Sequence, residues 1–240
     1  MKRKIGEFQS SIASLELENR VLTENTLILA ETGSGKTHLA NKIREFVIDN
    51  KIPTLYLDFS DPTPDQVEDK FKNGENFHYM QFDESDEFES KFDEAVAKRL
   101  DIYMAVSPSY FGTKRDVKSK LSKTIQKREL LDNYYYILQE IRSLEGFYKK
   151  FEDFIFYVFD LVSMKKYGMT FLARPDKMFE NPRMKLLFSF LFVGRCSDAH
   201  YYNTSILRSM KPNTFLFQRR VDNCSLLFNN IESDIVYIDD

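Results

Sequence analysis

Apolar and polar positions along the first hundred residues predict strands and helices in alternation. A short apolar run at 26–29 leads into a glycine-containing loop, and a helix-like run over 36–49 follows it. That run carries apolar side chains at the three-to-four spacing of an amphipathic helix, at Leu39, Ile43, Phe46 and Val47. A β-rich run at 54–58 is then stopped by Asp, Ser and Pro. This order predicts a βαβ unit, with a parallel sheet and a right-handed crossover.

The rest of the chain continues the α/β pattern, with a helical stretch in its middle. Residues 76–100 predict a strand, an acidic loop and a helix whose acidic face is solvated. Residues 110–168 are Pro-free and look helical, so two or three helices are expected there, with 110–150 as an insertion. β-like runs follow at 169–173, 200–207 and 213–220, with a helix-like run at 181–194 and a final edge strand at 234–238. We therefore expect one domain over 1–240, with a mainly parallel sheet flanked by helices.

The loop between the first predicted strand and helix has the pattern of a phosphate-binding loop. Residues 30–37 match G-x-x-x-x-G-K-[ST], except that Ala30 replaces the first glycine. Backbone N–H groups of such a loop curl around phosphate, the lysine reaches the β and γ oxygens, and the hydroxyl ligates Mg²⁺. The expected ligands are therefore ATP and Mg²⁺, with Thr37 on the metal. The nucleotide-binding residues are expected to be Thr32, Gly33, Ser34, Gly35, Lys36, Thr37 and His38.

Composition and charge narrow the function further. The net charge of the 240 residues is −3, so any contact with nucleic acid requires a local basic patch. The stretch 114–128 holds seven Lys or Arg residues against one Asp, which fits either DNA-backbone contacts or a solvated helix face. The two cysteines and three histidines have no metal-like spacing. The apolar runs are too short for a signal peptide or a membrane span, so a cytoplasmic protein is expected.

Hydrolysis would also need a carboxylate near Mg²⁺, and the sequence offers two. Asp160 ends the apolar run 154–159, although the flanking residues favour a helix there. Asp176 follows the predicted strand 169–173. The residues alone do not decide between them.

Four features of the sequence, taken together, resemble the HerA/FtsK superfamily of DNA-pumping ATPases. They are the phosphate loop, the βα segment after it, the Lys-Lys-Tyr-Gly sequence at 165–168 and the predicted strand that follows. The sequence is most similar to the viral genome-packaging ATPases of membrane-containing viruses, over about residues 20–228 apart from 110–150. This resemblance implies a ring-shaped homo-oligomer that moves DNA, with a capsid or membrane protein as a further partner. It also implies a location in the host cytoplasm or the virion.

Carried over by position, the resemblance implies roles for four residues. Asp176 matches the glutamate of the family's Asp-Glu pair, and Pro175 stands in place of the aspartate. Arg195 matches the arginine that reaches the neighbouring subunit's nucleotide. Because it follows a helix-like run and precedes a predicted strand, it is expected near the rim of the sheet, too far from its own phosphate loop to serve it. Ile206 stands where a polar sensor is usual, just after Asn203, Thr204 and Ser205. These departures leave open a second function, an ATP-dependent interaction switch with little hydrolysis. A small-molecule kinase is disfavoured, because no Arg-rich lid stands out.

Overall fold

The computed structural model describes residues 2–8, 14–60, 62–65, 67, 77–83, 85–107, 119–120, 123–125, 128–140, 156–160, 165–175, 186–197, 204–220 and 231–239. The strands are β1 (Arg3–Phe8), β2 (Ser14–Leu17), β3 (Thr26–Leu29), β4 (Thr54–Asp58), β5 (Phe77–Gln81), β6 (Asp101–Ala105), β7 (Tyr135–Gln139), β8 (Met169–Ala173), β9 (Phe190–Val193), β10 (Thr214–Arg220) and β11 (Ile231–Ile238). The helices are α1 (Arg20–Thr23), α2 (Lys36–Asp49), α3 (Asp86–Ala97), α4 (Thr204–Ser209) and a 3₁₀ helix at Glu129–Asn133.

The chain forms two compact units. One comprises Met1–Phe46 with Thr170–Asp240, and the other comprises Val47–Met169. Strands and helices are interspersed along the chain, and one unit has a mixed sheet while the other has a parallel sheet, so the predicted α/β class is confirmed. A single domain over 1–240 stays a prediction.

The first unit has a mixed sheet in the order β2-β1-β11-β10-β9-β3-β8. β3 is parallel to both β8 and β9, and the remaining pairs are antiparallel. Leu29 lies in register with Ala173 and Val193, so the three parallel strands end at the same edge of the sheet. The residues that follow β3, β8 and β9 therefore meet at this edge. All of β3 and β8 is buried, as expected for central parallel strands.

The second unit has a fully parallel sheet in the order β7-β4-β6-β5. α3 connects β5 to β6 and buries Phe88 and Phe92. Ser85 caps α3, because its side chain accepts a hydrogen bond from the Phe88 amide at 3.1 Å. Three tyrosine rings stack across the sheet, with Tyr103 between Tyr56 and Tyr79 at centroid distances of 4.7 and 6.2 Å.

Two runs predicted as helices are strands. Residues 135–139, inside the predicted helical stretch 110–150, form β7 between Glu140 and the 3₁₀ helix. Residues 190–193, inside the helix-like run 181–194, form β9. Both are short runs of consecutive apolar residues, and such runs suit a fully buried strand as well as a buried helix. Pairing with β4 and with β3 and β10 decides the outcome here. Residues 110–118 and 141–150 lie outside the described residues.

Two further elements differ from the sequence predictions. Residues 204–207, predicted within a strand, begin helix α4. The final strand is longer than predicted and is not at an edge, because β11 pairs with β10 on one side and β1 on the other. The N-terminal strands β1 and β2 were not predicted. Within the described part of the chain, no helix has both the length and the apolar character needed to cross a membrane.

Candidate functional site

The phosphate-loop pattern folds as a tight turn between β3 and α2. Gly33 and Gly35 both have positive φ angles, 76° and 92°, which side chains with a Cβ rarely adopt. The Ser34 amide donates to the Glu31 carbonyl at 3.3 Å, and the Leu39 amide donates to the Gly35 carbonyl at 3.0 Å. The first bond closes the turn and the second begins the helix. The loop therefore leads directly into the N-terminus of α2, where backbone N–H groups point outward.

Lys36 is folded back onto this loop. Its ammonium donates to the Ala30 carbonyl at 2.7 Å and to the Glu31 carbonyl at 3.0 Å, and the residue is only 8% exposed. The lysine charge is thus held at the centre of the turn by two carbonyl dipoles. An anion in the turn would meet this charge at short range.

The loop residues fit a polyphosphate. The Ser34 hydroxyl is buried, with the residue 1% exposed, and has no hydrogen-bond partner in the described structure. A Cβ on Gly33 would meet nothing within 4 Å, so the space beside that glycine is open. An orphan buried hydroxyl, a buried ammonium and a helix N-terminus suit an anionic ligand with several oxygen atoms.

The metal is expected to have few protein ligands. No cluster of three or more His, Cys, Asp or Glu residues that could hold a metal occurs within the described ranges. Mg²⁺ in phosphate-transfer sites is typically held by one or two protein oxygens together with phosphate oxygens and water. The Thr37 hydroxyl, in the first turn of α2, is the protein ligand that this arrangement would use.

Ala30 is accommodated in place of the usual first glycine because position 194 is a glycine. A Cβ on Gly194 would come 2.8 Å from the Ala30 Cβ and within 3.0 Å of the Phe215 ring. The Gly194 amide donates to the Leu29 carbonyl at 2.8 Å, so the ends of β3 and β9 lie close together.

Gly194→Ala is therefore expected to destabilise the protein by about 1–3 kcal/mol through overpacking. Ala30→Gly, added to it, should recover part of this loss, because it removes one of the two contacts while the Phe215 contact stays. Urea unfolding of the two single variants and the double variant measures the coupling. Strictly additive effects would contradict a direct contact between positions 30 and 194.

Asn213, just before β10, also contacts the loop and is itself bonded to the end of β11. The Asn213 amide donates to the Ser34 carbonyl at 3.1 Å, and Asn213 has a left-handed φ of 60°. The Asn213 carbonyl in turn accepts from the Ile238 amide at 2.8 Å.

His38, predicted to bind nucleotide, directs its side chain to the end of β11: its Nε2 lies 2.8 Å from the Asp239 carbonyl oxygen. Its contribution to a nucleotide would be through the backbone.

Arg195 lies beside its own phosphate loop, so the expectation that it is too far around the sheet is wrong. Its Nη2 donates to the Thr32 carbonyl at 3.4 Å, and its own carbonyl accepts from the Glu31 amide at 3.0 Å. The reason is the register: β9 is hydrogen-bonded to β3, so the residue after Gly194 emerges next to the residues after β3.

A carboxylate at the loop was not predicted from the sequence. Glu31 accepts from the Ser197 amide at 2.6 Å and from the Ser197 hydroxyl, and its other oxygen lies 3.8 Å from the Arg195 Nε. The Ser197 hydrogen bonds, with smaller contributions from Arg195 and Lys36, lower the pKa of the Glu31 carboxyl. Glu31 occupies one of the variable positions of the motif, so the pattern gives no signal for it.

The two predicted carboxylates differ in what the structure shows. Asp160 belongs to a helical segment, 156–160, and is exposed, so the strand-end alternative for this residue is wrong. Asp176 lies outside the described residues. Pro175 is described and follows the end of β8, the position implied by the resemblance.

The second unit carries polar side chains at the ends of two adjacent parallel strands. Asp58 ends β4, is 2% exposed, and accepts from the Gln139 Nε2 at 3.0 Å and from the Tyr103 hydroxyl. Burial, with the Asp58 carboxylate beside it, raises the pKa of the Tyr103 hydroxyl. Glu140 follows Gln139 with a φ of 53°. An apolar strand closed by a carboxylate residue is a pattern that the sequence contained, and it was missed because 135–139 looked helical.

The predicted sensor position lies on a short helix. Ile206 lies on α4 and is 45% exposed. Asn203 is outside the described residues.

Arg128, at the end of the basic stretch, pairs with Glu89 and with Asp93, and its guanidinium lies 4.6 Å from the Phe92 ring centroid. This arginine is bound to α3, so the acidic face of that helix is not wholly solvated.

The sequence matches no protein-family model and no curated protein. Solved structures do share the fold. EssC (ATPases 2 and 3) from Geobacillus thermodenitrificans aligns with a TM-score of 0.53 at 11% identity, covering 99% of this chain and 40% of that one. The cytoplasmic domain of the Thermomonospora curvata type VII secretion ATPase EccC aligns with a TM-score of 0.55 at 11% identity, covering 99% of this chain and 26% of that one. This chain thus spans less than half of either chain.

A third match, to the genome packaging NTPase B204 from Sulfolobus turreted icosahedral virus 2 in complex with ATP-gammaS, has a TM-score of 0.48 at 10% identity. It covers 88% of this chain and 96% of that one.

Proposed function

We propose that this chain, which has the fold of the ATPases EssC and EccC, binds Mg-ATP and hydrolyses it to move DNA as a ring of identical subunits. The observation that carries the nucleotide part is the loop at 30–37. It combines positive-φ glycines, a buried Lys36 and an orphan Ser34 hydroxyl at the start of a helix. The protein groups needed to hold a triphosphate are present in one turn.

The residues have separate roles in this proposal. Lys36 leaves the Ala30 and Glu31 carbonyls to pair with the β and γ oxygens. The amides of residues 32–37 donate to the phosphates, except the Ser34 amide, which closes the turn. Thr37 holds Mg²⁺, which neutralises charge on the bound triphosphate. Arg195, beside Thr32, adds a second positive charge at the same loop. Both cations come from one subunit.

DNA translocation and ring assembly are supported by the resemblance of the motifs to DNA-pumping ATPases and by the basic stretch 114–128. Lys and Arg side chains on a protein surface bind the phosphates of the DNA backbone irrespective of the base sequence. Arg128 is paired within its own unit, so the remaining basic residues of that stretch would make the contact. A capsid or membrane protein would be the anchor against which a motor works.

A nucleotide-dependent assembly switch is the second candidate function. Pro175 stands where an acidic residue is expected, and a proline has no side-chain oxygen for a metal-bound water. The exposed Ile206 likewise has no polar atom for a γ-phosphate. A protein of this kind would bind ATP, change its association state and hydrolyse little.

The motor and the switch are separated by ATP turnover measured with and without double-stranded DNA. We expect DNA to stimulate turnover at 50 mM salt and the stimulation to fade at 200 mM, because backbone binding releases counterions. Ring assembly is followed in parallel by sedimentation with ATP-gammaS. Nucleotide binding without DNA-stimulated turnover, in a protein whose association changes with ATP, would favour the switch.

The same assay identifies the hydrolytic carboxylate. Asp176→Asn removes the carboxylate that follows strand β8 in the sequence, and Asp160→Asn is the control in a helical segment. We expect Asp160→Asn to keep turnover, while Asp176→Asn loses it and keeps ATP binding. Loss of turnover in Asp160→Asn alone would overturn this assignment.

A further inference from the structure

Glu31 is an acidic residue in a loop built to bind an anion. Its carboxylate is one residue from Thr32 and five from Lys36, and it carries a lowered pKa, so it is ionised at neutral pH. An ionised carboxylate at this place opposes a polyphosphate by charge repulsion. Its presence calls for a specific partner that offsets the charge.

Arg195 is the cation nearest to that carboxylate among the described ion pairs of the loop. The Nε of Arg195 lies 3.8 Å from Glu31 Oε2, while its Nη2 donates to the Thr32 carbonyl at 3.4 Å. The guanidinium is therefore held along the loop by one carboxylate and one carbonyl. Both side chains are partly exposed, so the pair is accessible to a ligand in the loop.

We propose that Glu31 competes with the triphosphate of the nucleotide for Arg195, and that this competition sets how strongly the loop prefers ATP over ADP. The inference rests on the proposed nucleotide binding. Without nucleotide, Arg195 pairs with Glu31. A triphosphate, which carries more charge and can accept two parallel hydrogen bonds from a guanidinium, takes Arg195 over. A diphosphate offers less charge and competes less well.

Ser197 keeps the released carboxylate in place. Its amide and hydroxyl both donate to Glu31 Oε1, so one carboxylate oxygen stays bonded after Arg195 has left the other. Ser197 is itself tied to α4, because the Arg208 Nε donates to the Ser197 carbonyl at 3.0 Å. The carboxylate therefore stays available to recapture Arg195 when the nucleotide leaves.

Glu31→Gln tests the competition without disturbing the turn, because the glutamine oxygen still accepts from Ser197. The Kd values of ATP-gammaS and of ADP are measured with fluorescent analogues at constant ionic strength. We expect Glu31→Gln to tighten ATP-gammaS by about two- to fivefold, the range of a partly exposed ion pair, and to change ADP less. Arg195→Ala should weaken ATP-gammaS more than ADP.

The double variant and a control complete the experiment. In an Arg195→Ala background, Glu31→Gln should change the ratio of the two Kd values clearly less, because only the direct charge repulsion between Glu31 and the nucleotide is then left to remove. Glu24→Gln, which removes a carboxylate paired with Arg20 before β3, should leave both unchanged. Equal effects of Glu31→Gln on both nucleotides, or the same ratio change without Arg195, would overturn the competition alone. A wild-type protein that binds neither nucleotide would overturn the proposed function as well.

Discussion

Lys36→Ala is expected to weaken binding of ATP-gammaS by about 10- to 150-fold, the effect of losing a charge-assisted hydrogen bond of about 1.5–3 kcal/mol. Lys36 is 8% exposed and its ammonium lies in the turn, so little water screens its attraction to a phosphate. Alanine supplies neither the charge nor a donor. Isothermal titration with ATP-gammaS and Mg²⁺ measures the loss.

The control for this variant must separate binding from folding. Lys36 also bonds the Ala30 and Glu31 carbonyls, so its removal could loosen the loop itself. Urea unfolding without nucleotide reports that contribution. Lys42→Ala, on the same helix, removes an equal charge away from the motif and should leave the affinity nearly unchanged. Unaltered affinity in Lys36→Ala would contradict the assignment of the loop.

Gly35→Ala is expected to destabilise the protein by about 2–5 kcal/mol, the sum of left-handed backbone strain and overpacking. The φ of Gly35 is 92°, and a Cβ there would lie 2.1 Å from the Asn213 Oδ1 and 3.1 Å from the Asn213 backbone nitrogen. The side-chain atom could move, but the nitrogen is fixed by its bond to the Ser34 carbonyl. Nucleotide binding should be lost together with the loop geometry.

Gly33→Ala is the matched control, in the same loop and with a similar positive φ of 76°. Its Cβ would meet nothing within 4 Å, so only the backbone strain of about 1–2 kcal/mol is expected. Thermal and urea unfolding of the two variants should therefore differ by the cost of the Asn213 contact. Equal destabilisation would mean that Asn213 yields freely, and that its hold on the loop is weak.

The elements that the sequence predicted well are those whose signals are local. The strand, loop and helix at 26–49 were predicted because the motif, the helical spacing of Leu39, Ile43 and Phe46, and the preceding apolar run are all contiguous. All three of these side chains are fully buried. β4, β5, α3, β8 and β10 were found for the same reason, as runs bounded by turn residues.

The misread elements depend on pairing that lies outside their own residues. β7 and β9 are short and wholly or largely buried, so they show no alternation of polar and apolar positions. Only the hydrogen-bonded neighbours β4 and β3 distinguish them from buried helices. Strand β1 was missed because one of its partners, β11, is more than 200 residues away in the chain.

The residues of the candidate site likewise fall into those indicated by a local sequence motif and those brought to the loop by strand pairing. Residues 32–37 follow from the motif, whereas Glu31, Ser197 and Asn213 meet the loop through the sheet register. Arg195 was identified by resemblance, but its position was wrong because the expected helix before it is strand β9. The strand assignment thus places Arg195 beside the phosphate loop of its own chain.

Hydrogen bonds connect the phosphate loop and the start of α2 to the end of β11. They run from Ser34 to Asn213, from Asn213 to Ile238, and from His38 to Asp239. Opening of β11 and filling of the loop share one network, so their free energies are linked, and the linkage is reciprocal. We therefore expect a bound nucleotide to slow amide hydrogen exchange in β11 by the same factor by which opening of that strand weakens nucleotide binding. The rate of amide hydrogen exchange in β11 would therefore report whether nucleotide occupies the loop, without any label on the ligand.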